Sequence, residues 1–173
     1  MKQSGRKWGV LLMLMGEFHH NIDEKSRLII PSKFRSELGE RFIITKGLDH
    51  CLFVYSENEW NKITKKVSNL QFTKKNVRAF ERTFIGGAST IEFDKQGRIN
   101  ITSPLVHYAN IIKECVIIGV NERLEIWSID EYNTKSKRGT IVKLDIDSSR
   151  FQELSGSSIS FQVIRNMQEG DEV

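Results

Sequence analysis

The chain is poor in the residue types that mark several protein classes. Among its 173 residues there are two cysteines, Cys51 and Cys115, which are too few for a disulfide-rich secreted scaffold or a four-cysteine zinc site. Its 2 prolines and 12 glycines exclude collagen-like and low-complexity classes. No apolar run approaches the roughly 20 residues that span a bilayer. These absences leave a globular domain, and 39% hydrophobic residues are enough for a packed core.

Common catalytic and nucleotide-binding motifs are also missing. The sequence contains no GxxxxGK[ST], GxSxG, HExxH or GxGxxG. His19 and His20 are adjacent, so on a strand they point to opposite faces and cannot share a metal ion. We interpret both cysteines as buried apolar residues. We therefore expect a protein that is not an enzyme, with no metal, cofactor or small-molecule substrate.

The net charge of +4 is unevenly distributed along the chain. Residues 61–87 carry seven basic side chains and one acidic one, whereas residues 17–60 and 88–132 are each net acidic. Periodicity predicts a helical pair in and before the basic segment, at about 57–69 and 73–85, broken near Leu70. Basic residues line one stripe of the second helix: Lys75, Arg78 and Arg82. A solvated face, a subunit contact and a phosphate contact all remain open for this stripe.

The N-terminus resembles a signal peptide only in part. Lys2, Arg6 and Lys7 precede an apolar run over residues 8–15, but the run is short and no small-residue cleavage site follows it. We interpret residues 1–14 as an N-terminal extension, with a functional start at Met13 or Met15. On this interpretation the protein is cytoplasmic.

Two segments, residues 17–60 and 88–132, are copies of one unit. The pentapeptide DEKSR starts at Asp23 and DKQGR starts at Asp94, 71 positions later. Arg27 and Arg98 keep the same offset, and after a slip of one residue Tyr55 faces Trp127. A unit of about 45 residues is seldom stable alone, so the copies are expected to share a core.

Each copy has the same predicted plan, which makes the fold class α+β. A strand enters an Asp-x-x-x-Arg turn, and a second strand, a short helix and two apolar strands follow. Each copy then ends in a helix start that resembles a capping box, with Ser56 and Ser128 as the expected capping residues. The predicted strands are 18–22, 27–30, 42–46 and 52–55, then 90–93, 98–101, 115–119 and 124–127, with short helices at 32–38 and 103–109. Ser103 is the expected N-cap of the last of these, with Pro104 at its first helical position. Gly97 suits the positive φ of a tight turn, where the first copy has Ser26.

Three segments carry a resemblance to a known family. MLMGEFHHNIDEKSRLIIPSKFR, FTKKNVRAFERTFIGGA and DKQGRINI closely resemble the MraZ family of bacterial transcriptional regulators, over about residues 15–132. The resemblance implies two AbrB-like (SpoVT-AbrB) swapped-hairpin units in one pseudo-symmetric β-barrel, at 17–59 and 88–131. It implies a helical linker at 60–87, ring assembly, and repression through repeated DNA boxes upstream of the division and cell-wall gene cluster. The tail, 132–173, departs from the family pattern, with strand-like alternation at 140–147 and 158–164.

The Asp-x-x-x-Arg turns are the candidate DNA-binding site. An exposed arginine offers a planar fork to phosphate or to guanine edges. The aspartate either orients that fork or simply closes the turn as a salt bridge. The predicted DNA contacts are Lys25, Arg27, Lys33, Arg35, Lys95 and Arg98, and the predicted loop-orienting residues are Asp23, Asp94 and Gly97. The first copy carries more cations around its turn, so we expect it to contact DNA more heavily. The rival hypothesis is a ring-forming scaffold that does not bind DNA.

Overall fold

Residues 13–138, the part of the chain that the computed structural model describes, form eight strands and five helices. The first copy and the linker contain β1 (Leu14–Asn21), β2 (Arg27–Ile29), α1 (Ser32–Leu38), β3 (Arg41–Lys46), β4 (Leu52–Ser56), α2 (Glu57–Ser68) and α3 (Lys75–Phe84). The second copy contains β5 (Ser89–Glu92), β6 (Arg98–Asn100), α4 (Ser103–Tyr108), β7 (Glu114–Asn121), β8 (Arg123–Ser128) and α5 (Ile129–Arg138). Most of the extension and the predicted tail strands lie outside the described residues.

The predicted order of strands and helices is confirmed, with shifts at their ends. β1 begins at Leu14, four residues earlier than expected, and Leu14 is buried. The prediction that Ser103 caps α4 is wrong, because Thr102 is the N-cap residue and Ser103 is the first helical residue. Pro104 is therefore second in the helix. It is tolerated there because the first amides of a helix have no intrahelical partner.

The two copies exchange strands in one antiparallel sheet. The sheet has the order β1-β7-β8-β4-β3-β5, and β2 and β6 form a separate two-stranded ribbon. The first strand of each copy pairs with the third strand of the other, so β1 lies on β7 and β5 lies on β3. Within residues 13–138 the sheet is open, with β1 and β5 at its edges, and the closed barrel that the resemblance implied is not observed there.

A shared hydrophobic core joins the copies, as expected. Leu28 of β2 and Ile99 of β6 are register partners, and both are buried in the main cluster together with Phe34 of α1 and Leu105 of α4. Because residues from both copies interleave in this cluster, the ribbon and the two short helices are fixed against the sheet by apolar burial.

A second cluster packs under the longer helices. It contains Cys51, Phe53, Tyr55, Phe84, Val116 and Trp127. Both cysteines of the chain are buried, as the sequence indicated. Burial raises the pKa of the Cys51 thiol above its usual range and that of Cys115 to about 12, so both remain neutral thiols at neutral pH.

The helices α2, α3 and α5 are fixed by hydrogen bonds at or near their N-terminal ends. The predicted caps are confirmed, since Ser56 accepts from the Glu59 amide and Ser128 accepts from the Glu131 amide. Arg78 of α3 donates Nη1 to the carbonyls of Phe72 and Thr73, which closes the turn between α2 and α3. One member of the basic stripe is therefore engaged within its own chain.

No helix in the described part is long and apolar enough to cross a bilayer.

Candidate nucleic-acid interface

The first Asp-x-x-x-Arg turn is organised around one carboxylate. Oδ1 of Asp23 accepts the backbone amides of Lys25 and Arg27, each at 2.9 Å. Oδ2 accepts Nε of Arg27 at 2.7 Å. The amide of Asp23 in turn donates to the Arg27 carbonyl. The same carboxylate therefore closes the turn and fixes the guanidinium, and the two roles considered for it are compatible.

The second turn repeats this geometry. Oδ1 of Asp94 accepts the amides of Gln96 and Arg98 at 2.9 Å, and Oδ2 accepts Nε of Arg98 at 2.7 Å. Arg98 makes one further bond, from Nη2 to Oε1 of Gln96 at 3.2 Å. The sequence repeat is thus also a repeat of hydrogen bonds, apart from this additional contact.

Both aspartates are held in the charged form. The backbone amide of Arg27, the Arg27 guanidinium and the Lys25 amide lower the pKa of Asp23 below its ordinary value. The equivalent amides and the Arg98 guanidinium lower the pKa of Asp94. Hydrogen bonds donated to a carboxylate favour its ionised form, so each turn keeps its aspartate–arginine pair intact at neutral pH.

The two turns share a left-handed residue but differ in what covers it. Ser26 has φ 59° and Gly97 has φ 73°, a conformation in which glycine avoids the Cβ penalty. The Arg35 guanidinium lies against Gly97, where a Cβ would overlap it. Arg35 also donates Nε to the Ile30 carbonyl at 2.8 Å. A side chain of the first copy therefore covers the turn of the second.

Within residues 13–138, no equivalent arginine is available to cover the first turn. The residue of α4 that corresponds to Arg35 is Val106, 71 positions later. A surface pocket of about 470 Å³ opens there, lined by Ser26, Val106 and Ile112 among others. The pseudo-symmetry of the backbone is thus not matched by the side chains around the turns.

The β2–β6 ribbon places the two arginines on one face. The strands are antiparallel, with Arg27 opposite Asn100 and Ile29 opposite Arg98. Side chains alternate between the faces of a strand, and paired residues share a face. The central pair of the ribbon is buried, while Ile29 and Asn100 are exposed and both arginines are partly exposed. The outer face therefore consists of four side chains: Arg27, Ile29, Arg98 and Asn100.

The remaining predicted residues are distributed around this face. Lys25 and Lys95 are exposed in the two turns, and Lys33 is exposed on α1 with Nζ 5.9 Å from the centre of the Phe34 ring. Arg35 is half-buried against the second turn.

Sequence reasoning missed two residues of the outer face, Ile29 and Asn100. Alternation along 27–30 and 98–101 contained a signal for them, but which face is open becomes evident only from the pairing of β2 with β6.

A separate polar cluster lies where β1, β7 and α5 meet. His19 contacts Glu17 through Nε2 at 2.9 Å and Glu114 through Nδ1 at 3.1 Å. Tyr132 donates its hydroxyl to Oε2 of Glu17 at 2.6 Å. The contacts with Glu17 and Glu114 raise the pKa of His19, and the bonds from Tyr132 and His19 lower that of Glu17. No group of His, Cys, Asp and Glu side chains suited to a metal ion occurs in the described part of the chain.

Comparison with known proteins places the repeat in a family. A family model described as "MraZ protein, putative antitoxin-like" matches residues 13–83 and again 84–145. A transcriptional regulator MraZ from Halothermothrix orenii is 59% identical over 116 residues, which are 67% of this chain and 81% of that protein. Proteins of the same name from Lactobacillus gasseri and Lactobacillus johnsonii are each 52% identical over 125 residues, 72% of this chain and 87% of theirs.

Proposed function

Because the chain belongs to the MraZ family of transcriptional regulators, we propose that it is a repressor that binds specific duplex DNA through the outer face of the β2–β6 ribbon. One observation carries this proposal. Two arginines, each held by an aspartate with identical geometry, lie on the same exposed face of a two-stranded ribbon. The major groove of B-DNA admits such a ribbon.

The aspartate determines which end of each arginine meets DNA. Nε of Arg27 is occupied by Asp23, so the two Nη groups form the free end of the fork. Parallel donors of this kind match O6 and N7 of guanine or two phosphate oxygens. Because the Asp23 carboxylate already fixes the side chain, little rotamer entropy remains to be lost on binding.

Assembly supplies the affinity that one ribbon lacks. We propose that the chains form a ring, that each is a swapped-hairpin unit of the AbrB type, and that the ring engages tandem boxes upstream of the division and cell-wall genes. The strand exchange between the copies agrees with the swapped arrangement. Linking several weak contacts raises overall affinity through effective concentration. Such a repressor acts in the cytoplasm, at the nucleoid.

A ring-forming scaffold without DNA affinity is the alternative, and a binding assay separates the two. Fluorescence anisotropy compares the duplex upstream of the chain's own gene with a scrambled duplex, across a series of salt concentrations. We expect tighter binding to the upstream duplex and an affinity that falls steeply with salt, as phosphate contacts require. Equal, weak binding to both duplexes would instead favour the scaffold.

Two variants make the assay specific to the ribbon. Replacing both arginines (Arg27→Ala with Arg98→Ala) should abolish the preference for the upstream duplex. Arg41→Ala is the matched control, because Arg41 lies on β3 and faces Glu57 and Glu92 at 3.8 and 3.7 Å. The control should lose no specific affinity, although it removes one positive charge.

A further inference from the structure

The outer face of the ribbon breaks the symmetry of the duplication at one position. Ile29 and Asn100 are equivalent residues of the two copies, 71 positions apart. Around them the ribbon is nearly symmetric, since Arg27 corresponds to Arg98 and the buried centre is leucine in one strand and isoleucine in the other. The two copies therefore present opposite chemistry at the same exposed site, an apolar side chain in β2 and a primary amide in β6.

The surroundings of Ile29 suit an apolar ligand group. Its side chain is 41% exposed, and its register partner across the ribbon is Arg98. An arginine that contacts a base pair would bring the neighbouring isoleucine to the floor of the groove. The apolar group displayed there is the C5 methyl of thymine.

The surroundings of Asn100 suit a hydrogen-bonding ligand group. Asn100 is exposed opposite Arg27, and its side chain makes no hydrogen bond within residues 13–138. A carboxamide carries a donor and an acceptor side by side, which matches N7 and the N6 amino group of adenine. This amide is therefore available for a bidentate contact that Ile29 cannot make.

We propose that Ile29 and Asn100 are specificity-determining residues, with Ile29 contacting a thymine methyl and Asn100 reading an adenine, so that each DNA box has a direction. The inference rests on the proposed function and deepens it. A ribbon with the same residue at both positions would offer the same base-reading groups at these two positions in either orientation of the box. The two pairs on the outer face are two residues apart, about 7 Å at the rise of an antiparallel strand, and this matches two base-pair steps along the groove.

The test begins with the full-length protein and a pool of duplexes with a randomised core. Selection identifies an enriched duplex, in which each thymine is then replaced by uracil and each adenine by 7-deazaadenine, one at a time. We expect at least one uracil to weaken wild-type binding by about fourfold, the factor that one buried methyl supplies. At least one 7-deazaadenine should weaken it by about tenfold, within the range of a bidentate base contact.

Coupling between variant and base makes the test specific. Ile29→Ala should lose the sensitivity to uracil and keep that to 7-deazaadenine, whereas Asn100→Ala should show the reverse pattern. Both side chains are exposed, so unchanged thermal unfolding serves as the folding control. Ile29→Thr, which retains one methyl and the branched shape, is a second variant. We expect its sensitivity to uracil to lie between those of the wild type and Ile29→Ala.

The outcomes distinguish the two levels of the proposal. If the wild-type protein enriches no sequence from the pool, the proposed function fails. If it enriches a sequence, but the variants respond to every base analogue as wild type does, the function stands and the assignment of Ile29 and Asn100 is overturned. The same holds if neither uracil nor 7-deazaadenine weakens wild-type binding at any position of the enriched duplex.

Discussion

The two Asp-x-x-x-Arg turns are alike in their hydrogen bonds and different in their surroundings. Each aspartate accepts the same three donors at the same distances. Arg98, however, also donates Nη2 to the side chain of Gln96, and its turn is covered by Arg35. Arg27 makes no such additional bond within the described residues, and a pocket opens beside its turn. The comparison indicates that the same hydrogen-bond geometry occurs in two environments. The first turn is open for contact, and the second is packed into the fold.

The largest expected difference between the turns is in DNA binding. Arg27→Ala should cost on the order of 1–3 kcal/mol of specific binding free energy. Arg98→Ala should cost less, because one Nη group of Arg98 is already bonded to Gln96. The side chain of Arg98 is also less exposed, at 25%, than that of Arg27, at 32%. Anisotropy with the upstream duplex measures both losses, and sedimentation velocity checks that assembly persists. Equal losses would remove the functional distinction between the copies.

Exchanging the left-handed residues tests the packing difference. Gly97→Ser should lower the free energy of unfolding by about 1–3 kcal/mol, because a left-handed non-glycine residue costs about 1–2 kcal/mol and the new Cβ displaces Arg35. Ser26→Gly should change it by less than about 1 kcal/mol, since the gain in φ freedom is offset by unfolded-state entropy. Urea unfolding measures both.

A double variant shows whether Arg35 is responsible. With Arg35→Ala in place, Gly97→Ser should cost only the backbone strain, so the two substitutions should not be additive. Additive losses would mean that Arg35 does not cover the second turn in solution.

Neutralising the aspartates should have smaller effects, and these should again differ between the copies. Asn keeps an acceptor for the two amides but places an amino group against the arginine Nε. Asp23→Asn should therefore weaken DNA binding by more than its modest fall in melting temperature accounts for, and Asp94→Asn should lower both in proportion. Asp23 and Asp94 have lowered pKa values, so their contribution to stability is present above about pH 4 and lost as pH falls further.

Thermal unfolding between pH 3 and 6 and anisotropy at pH 7 check these expectations. Each Asn variant should show a flatter acid limb than the wild type. Removing a carboxylate near DNA also relieves repulsion from phosphate. A clear gain in affinity for Asp23→Asn would therefore contradict the orienting role of this residue.

The smallest effect concerns the polar cluster around His19, which has no counterpart in the second copy within the described residues. The second copy has Thr90 where the first has His19. The carboxylates around His19 raise its pKa, so protonated His19 stabilises the fold. This contribution is fully present below the ordinary histidine pKa near 6.5 and is lost as pH rises through the raised pKa. His19→Gln should remove this slope above about pH 6.5 in thermal unfolding, and Thr90→Ala should not. An unchanged slope in His19→Gln would assign the dependence to another group.

Local features of the site were predictable from the sequence. The bonds of Asp23 and Asp94 stay within five residues, so the repeated pentapeptide was sufficient to indicate the two turns. The positive φ of Gly97 followed from the same reasoning, because few residues other than glycine tolerate that conformation. The predicted caps at Ser56 and Ser128 were confirmed for the same reason: a capping bond spans only three residues.

Features that depend on pairing between distant segments were not predictable. Apolar alternation indicates that a strand has a buried face, but it does not identify its partner. The exchange that pairs β1 with β7 therefore came from the structure. So did the place of Arg35, which the sequence offered as a DNA contact and which lies against the turn of the other copy. Ile29 and Asn100 became candidates only once β6 was found beside β2.

The strand exchange also has a consequence for how the chain is made. β1 pairs with β7, and Phe18 lies opposite Ile117, about 100 residues later. At ribosomal rates of about 5–20 residues per second, β1 emerges roughly 5–20 s before its partner strand exists. The first copy therefore cannot complete its part of the sheet until β7 has been synthesised, and its apolar strands must wait for the second copy. Late, long-range closure of this kind favours slow folding and leaves the apolar strands of the nascent first half exposed in the meantime.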